Sequence, residues 1–227
     1  MMQHRRNARA PEKPDRDGMP PMSIDSRPSI PAPADQRVTE QRAAFLSAGQ
    51  ARRAAVVGLR RQALSCQTLD AVLSAALETA RSVLSFDHAK ICEYDARRDV
   101  VTVRAVSGWD PRVVGHRIEH ASTTCLSGYA LRSKRPVVVE DLRRAPELQT
   151  LRFLDGTAMV SGATVFIHGQ RDDFGALTLQ STSRRLVLLD ELDFLQAIAD
   201  VVAAAAYRFS MASSARGKRS SGDAGSK

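Results

Sequence analysis

The chain has 227 residues, of which 43% are hydrophobic and 26% charged, a composition that excludes fibrous and wholly disordered proteins. It has no run of about 18 to 20 apolar residues and no apolar secretory signal, so we expect a cytoplasmic protein without membrane contact. The formal charge is +8, yet residues 68–208 carry −1, so the positive excess lies in the flanks and predicts no specific nucleic-acid binding by the core.

The N-terminal part of the chain changes character near residue 38. Residues 1–37 hold seven of the ten prolines and few large apolar side chains, which predicts a disordered Pro-rich tail. Residues 38–67 lack proline, and their apolar side chains recur at steps of three and four, which predicts an amphipathic lead-in helix. The apolar stripe of this helix needs a partner. We expect a homodimer through the terminal helices, with helix pairing inside one chain as the alternative.

Residues 68–208 alternate between helical and strand patterns. Thr68 is a predicted N-cap, and the apolar spacing after it fits only a helix. Asp190 is the predicted cap of a closing helix, and residues 209–227 hold the end of that helix and a disordered basic tail from Ser213. Runs rich in β-branched residues predict strands at 88–94, 100–106, 137–139, 162–167 and 175–180, with a tight turn at 171–173.

The order of these elements predicts an α+β fold. Short hairpin connections favour an antiparallel sheet, here of five to six strands, and the helices gather at the two ends of the sequence. Residues 107–157 form a long irregular segment with helical stretches at 126–132 and 145–154. Because so long a segment usually covers or forms a site, we expect the terminal helices on one face of the sheet and a lid with a pocket on the other.

Six short motifs in chain order resemble those of the GAF domain family, the small-ligand sensory module of bacterial signalling proteins. They extend from about residue 56 to residue 208, and the resemblance assigns a GAF domain to residues 68–208. The motifs are Gly108-Trp109, Gly128–Ser133, Pro136–Leu142, Val160–Ile167, Phe174–Leu177 and Asp193–Ala199.

The resemblance implies a non-catalytic sensor that binds a small molecule between sheet and lid and signals through its terminal helices to a second subunit or a separate output protein. It identifies no ligand and no cofactor. Two other functions stay open: a ligand-free interaction scaffold, and a cysteine-dependent redox enzyme of the free methionine sulfoxide reductase type. We expect the pocket to be lined by Trp109, Cys125, Tyr129, Asp141, Phe153, Ser161 and Thr164.

Several of these residues also fit purely structural roles. The rings of Trp109 and Tyr129 can be core residues, and Asp141 can cap a helix or turn. Gly162, beside Ser161, allows close approach by backbone or ligand, or a β-bulge. Cys125 precedes a helix start, where a thiolate would be favoured, but it can also be a small buried hydrophobe.

Metal and chromophore chemistry are not expected. The three cysteines are widely spaced without a C-x-x-C pair, which predicts free thiols and no zinc site. His116 and His120 are four residues apart, but their setting is extended, so they do not share a helix face. Bilin-binding members of the resembled family carry a Cys-His pair, whereas Leu126 follows Cys125.

Overall fold

The structure, a computed structural model, describes residues 34–119, 125–145, 158–169 and 173–222. The chain divides into residues 1–41, described from Ala34 as the start of the first helix, and residues 42–227, which contain every other described element. The helices are α1 (Ala34–Ser65), α2 (Leu69–Leu84), α3 (Leu126–Ser133) and α4 (Leu189–Gly222). The strands are β1 (His88–Asp95), β2 (Val100–Ser107), β3 (Arg117–Glu119), β4 (Val137–Val139), β5 (Ser161–Ile167) and β6 (Gly175–Ser181).

The six strands form one antiparallel sheet in the order β3-β2-β1-β6-β5-β4. The hairpin β1-β2 and the pair β5-β6 meet at the centre, where β1 pairs with β6. The predicted α+β class with an antiparallel sheet of five to six strands is therefore confirmed. Strand β3 was not predicted, because its three residues include one β-branched side chain, Ile118, between two charged ones, whereas the equally short β4 consists of three valines.

The helices are divided between the two faces of this sheet. Helices α2 and α4 pack together on one face, against β1, β2 and β5, whereas α3 packs on the other face against β5 and β6. The spacing of buried side chains along α2 explains its docking, since Val72, Leu73, Ala76, Leu77 and Ala80 lie on one side of a 3.6-residue helix. The side of the sheet that carries α2 and α4 is called the helix face below, and the other side the α3 face.

The two predicted helix caps have different outcomes. Thr68 caps α2 as predicted, and its hydroxyl accepts a hydrogen bond of 3.3 Å from the backbone N–H of Ala71. The prediction for Asp190 is wrong, because α4 begins at Leu189. The Glu191 carboxylate accepts from the N–H of Leu188 at 3.1 Å, while Asp190 forms an ion pair with Arg52 of α1.

Both terminal helices are longer than the sequence predicted. Helix α1 begins at Ala34, and α4 continues through the Ser-rich segment to Gly222, so the predicted disorder is wrong for residues 213–222. Extending a helix that already exists costs little for Ala, Ser, Arg and Lys. The predicted disorder of residues 1–33 and 223–227 lies outside the described residues, as do most of the predicted helix at 145–154 and of the turn at 171–173.

Gly108 marks a close crossing of two backbones. It follows β2 with a φ of +77°, and a Cβ added there would lie 2.2 Å from the carbonyl oxygen of Asp87, just before β1. Both the dihedral angle and the crossing exclude a side chain. The crossing also fixes where the next residue, Trp109, lies.

We predict opposite effects from two glycine substitutions. Gly108→Ala should lower the free energy of unfolding by about 2 kcal/mol or more, because it combines left-handed backbone strain with a backbone clash. Gly58→Ala, in α1 and with nothing within 4 Å of the added methyl, should raise it by about 0.5–1 kcal/mol. Chemical denaturation measures both, and equal stability of the two variants would contradict the prediction.

Candidate functional site

The central strands β5 and β6 are buried along their whole length on both faces, but the two faces differ in chemistry. Toward the helix face they present only apolar side chains at their interior positions: Ala163, Val165, Leu177 and Leu179. Toward the α3 face the intervening positions include Thr164, Thr178 and Gln180, each no more than 2% exposed. The polar residues of these strands thus collect beneath α3.

The strand register extends this polar set into β1. Thr178 is paired with Thr164 on one side and with Lys90 on the other. Gln180 is paired with Gly162 and with His88 in the next row. Lys90 is only 4% exposed, which is rare for a lysine. We call the set His88, Lys90, Ser127, Thr164, Thr178 and Gln180 the polar face.

A chain of hydroxyl groups connects the middle of the polar face to α3. The Thr164 hydroxyl donates to the Thr178 hydroxyl at 3.0 Å, which in turn lies 3.0 Å from the Ser127 hydroxyl. Ser127 Oγ lies 3.9 Å from the Cys92 thiol sulfur. A single donor sequence from Thr164 through Thr178 and Ser127 to sulfur satisfies every hydroxyl proton, so this part of the polar face is complete within the protein.

At the end of the sheet nearest Gly108, the polar face is bordered by aromatic rings. The Trp109 ring, 6% exposed, packs against His88 with ring centroids 4.3 Å apart. The neighbouring Asp87 carboxylate accepts from the backbone N–H and hydroxyl of Thr182 at 2.8 and 2.9 Å. The backbone hydrogen bond from Thr182 lowers the pKa of Asp87. The two hydrogen bonds from Thr182 also connect the segment after β6 to the start of β1.

Gly162 brings α3 into direct contact with the sheet. A Cβ at this position would lie 2.9 Å from Leu126 Cδ1 of α3 and 3.4 Å from Gln180 Cγ. Of the roles considered for this glycine, close approach is therefore the one observed, and the approaching group is a side chain of α3.

Two thiols lie in the same buried cluster on the α3 face, although sequence spacing gave no reason to pair them. Cys92 is fully buried and Cys125 is 3% exposed; the Cys125 sulfur accepts a hydrogen bond of 3.4 Å from the N–H of Gly128 as the N-cap of α3. Burial raises the pKa of the Cys92 thiol, and the positive charge of Lys90 opposes this rise. A raised pKa disfavours the nucleophilic thiolate.

The structure separates the predicted site residues into two groups. Trp109, Cys125 and Thr164 are buried on the α3 face, where a pocket was expected. Ser161 does not lie on the α3 face. It is two residues from Ala163 in β5 and therefore points toward the helix face, and its hydroxyl donates to the carbonyl of Ser183 at 2.8 Å. Phe153 lies outside the described residues.

Tyr129 and Asp141 have local roles. Tyr129 is 39% exposed on the outer side of α3, with the Arg132 guanidinium 5.5 Å from its ring centroid, so it is neither core nor directed at the sheet. Asp141 caps the short 3-10 helix Leu142–Arg144, accepting from the N–H of Arg143 at 3.1 Å. Hydrogen bonds from the Arg143 side chain lower the pKa of Asp141 to about 2. Capping, one of the two roles considered for this residue, is the one observed.

Most residues of the polar face were not predicted from the sequence. The alternation of polar and apolar residues in β1 and β6 predicts exposed side chains at four of its positions: His88, Lys90, Thr178 and Gln180. Ser127 is a small residue in a short helix and gives no signal of its own. A signal was available in β6, where Thr178 and Gln180 alternate with leucines in a strand whose central position leaves neither face exposed.

We predict that the hydroxyl chain stabilises the docking of α3. Thr178→Val leaves the Thr164 proton without its acceptor and Ser127 without its partner, so it should lower the free energy of unfolding by about 1–3 kcal/mol. Thr102→Val is the matched control on β2, because within the described residues the Thr102 hydroxyl makes no hydrogen bond, and its effect should stay within about 0.5 kcal/mol. Indistinguishable denaturation curves for the two variants would contradict this prediction.

Within the described residues, no group of three or more His, Cys, Asp or Glu side chains could hold a metal ion. None of the helices described is both long and apolar enough to cross a bilayer.

Comparison with solved structures finds the same fold at low sequence identity, which establishes the fold alone. The GAF domain of a phosphoenolpyruvate-protein phosphotransferase from Coxiella burnetii has a TM-score of 0.67 and 16% identity, over 73% of this chain and 98% of that one. Free methionine-R-sulfoxide reductase from Neisseria meningitidis, in complex with its substrate, has a TM-score of 0.58 and 16% identity, over 68% and 87% of the respective chains. The chromophore-binding domain of a bacteriophytochrome from R. palustris has a TM-score of 0.55 and 14% identity, over 71% and 61%.

Sequence comparison gives a family but no individual relative. No curated protein matches the chain. The model of the GAF domain family matches residues 66–205, which is more than half of the chain and includes the whole sheet. The chain therefore belongs to the GAF domain family.

Proposed function

We propose that this GAF domain is a non-catalytic cytoplasmic sensor that binds a small molecule against the polar face and passes the change through its terminal helices to a second copy or a separate output protein. The observation that carries the proposal is the chemical contrast between the two faces of β5 and β6. The three cysteines, Cys66, Cys92 and Cys125, are all reduced, which fits the reducing cytoplasm.

The chemical difference between the two faces favours ligand binding, because the packing of the strands does not by itself require polar side chains. The helix face shows that this chain can cover the interior positions of the same two strands with apolar side chains only. Burying a polar side chain costs free energy unless its hydrogen bonds are replaced. A face that buries a lysine and an amide almost completely, and an imidazole partly, is suited to a ligand with polar groups of its own. The Lys90 ammonium supplies a positive charge for an acceptor or anionic group.

Strand β5 gives a route from the polar face to α4. Thr164 projects toward α3, whereas its neighbour Val165 belongs to the core cluster that includes α4. The amide of Gln196, in α4, donates to the carbonyl of Phe166 at 3.4 Å. A ligand that displaces β5 therefore acts on α4 through both packing and a hydrogen bond.

One observation favours the alternative of a cysteine-dependent reductase. Cys92 and Cys125 share a buried cluster, so a second thiol is available near Cys125. Against this, both thiols are almost completely buried, and the pKa of Cys92 is raised. Reduction of free methionine sulfoxide that is lost in Cys125→Ser would establish the enzyme and overturn the non-catalytic proposal.

We predict that the protein purified from its own host carries a small molecule. Native mass spectrometry should detect the added mass on the wild type and on Lys134→Met, an exposed lysine, but not on Lys90→Met, which removes the buried charge. A recovered ligand at 100 times its dissociation constant should stabilise the wild type by about 2.7 kcal/mol. Absence of any added mass, together with no ligand-dependent melting shift, would support the ligand-free scaffold.

The surface of α1 supports the dimer. Its Leu59 and Ala63 are buried within the chain, and the Arg208 guanidinium of α4 donates to the carbonyls of Ala63, Leu64 and Cys66 at 2.9 to 3.2 Å. Pairing inside one chain is thus real but uses one side of α1. Large apolar side chains of α1 nevertheless remain exposed: Phe45, Leu46, Val57 and Leu64. A second copy would cover them.

We predict that Val57→Glu combined with Leu64→Glu gives a folded monomer. Val57 is 47% and Leu64 76% exposed, so charges there should disrupt an intermolecular seam without unfolding the domain. Leu59→Glu is the contrasting variant, because Leu59 is 2% exposed and a buried charge should unfold the protein. Light scattering measures the mass of each, and a monomeric wild type at high micromolar concentration would contradict the dimer.

A further inference from the structure

One end of the polar face contains two adjacent polar atoms that the described protein does not satisfy. Gln180 and His88 are directly paired across β6 and β1. Gln180 is 2% exposed, and its Oε1 has no hydrogen-bond partner among the described residues. The same holds for His88 Nδ1, which is buried although the His88 residue as a whole is half-buried.

These two atoms differ from the rest of the polar face. The hydroxyl groups of Thr164, Thr178 and Ser127 satisfy one another, so they need nothing from outside. A buried acceptor left without a donor costs free energy comparable to a lost hydrogen bond, and native proteins leave few of them. An amide oxygen and an imidazole nitrogen, on directly paired residues beside the Trp109 ring, thus keep hydrogen-bonding capacity for a bound group.

We propose that Gln180 Oε1 and His88 Nδ1 form an acceptor pair that binds the –NH₂ of a primary amide or amino group on the ligand. The inference rests on the proposed function and names the chemical class of its ligand. With the imidazole proton on Nε2, His88 Nδ1 accepts, as Gln180 Oε1 does. An –NH₂ group carries two N–H donors and can serve both atoms at once.

The neighbouring residues fit a planar group at this position. The edge of the site is formed by the indole of Trp109, which packs against the imidazole. Gly162 contributes no side chain here, and Leu126 of α3 lies over it, since a Cβ at Gly162 would lie 2.9 Å from Leu126 Cδ1 and 3.4 Å from Gln180 Cγ. Leu126 thus provides an apolar contact next to Gln180. Lys90 follows His88 by two residues in β1 and therefore has its side chain on the same face of the sheet.

The first test measures the ligand-free protein. Gln180→Met replaces an unsatisfied acceptor by an apolar side chain of similar volume, so the melting temperature should rise by about 2–4 °C. Gln196→Met is the matched control, because Gln196 donates to Phe166 and Asp200, and its loss should lower the melting temperature. A fall in Gln180→Met as large as that in Gln196→Met would mean that Gln180 has a partner in the protein, and would overturn the proposal.

The second test uses two probes that differ only in N–H donors. Benzamide has two, and N,N-dimethylbenzamide has none. Millimolar benzamide should raise the melting temperature of the wild type but not of Gln180→Met, and N,N-dimethylbenzamide should raise neither. Equal effects of the two probes on the wild type, or no effect of benzamide, would overturn the assignment of an –NH₂ group.

The two proposals fail in different ways. If the sensor proposal fails, native mass spectrometry finds no ligand on the wild type. If the acceptor pair alone is wrong, the wild type carries a ligand that Gln180→Met retains with the same occupancy. Loss of that ligand in Gln180→Met, with its retention in Gln196→Met, supports the acceptor pair.

Discussion

The arrangement of the core and of the candidate site depends on the burial of β5 and β6 on both faces. Because these two strands lie inside the sheet, between the layer of α2 and α4 and the helix α3, neither of their faces is left to solvent. On one face, the apolar side chains of these strands pack in one cluster with those of α2 and α4. The other has to accommodate polar groups at full depth, which is possible only where hydrogen bonds are supplied by the protein or by something bound to it.

The fold was accessible from the sequence because its elements have strong periodic signals. The spacing of Leu69, Val72, Leu73 and Ala76 fits only a helix, and the change to β-branched alternation at His88 marks the first strand. The six family motifs supplied the connectivity that periodicity does not contain. The first turn of α4 was misread because two acidic residues, Asp190 and Glu191, follow each other, and only the tertiary partner Arg52 distinguishes their roles.

The candidate site was less accessible, for a physical reason. A polar residue in a strand reads as solvent-facing unless the number of layers around the strand is known. Lys90, Thr178 and Gln180 were therefore assigned no role, although the strands that contain them were predicted at 88–94 and 175–180. Ser161 was placed on the wrong face because alternation gives the relative side of two residues but not which side carries the pocket.

The contact of Arg208 with the last turn of α1 has a mechanical consequence. The guanidinium holds carbonyl groups that a helix C-terminus leaves without intrahelical partners. Because those carbonyls are at the end of one helix and the arginine is in the middle of the other, an axial shift or rotation of α4 would carry the end of α1 with it. The two helices are thus mechanically coupled, and a displacement of either helix would be transmitted to the other.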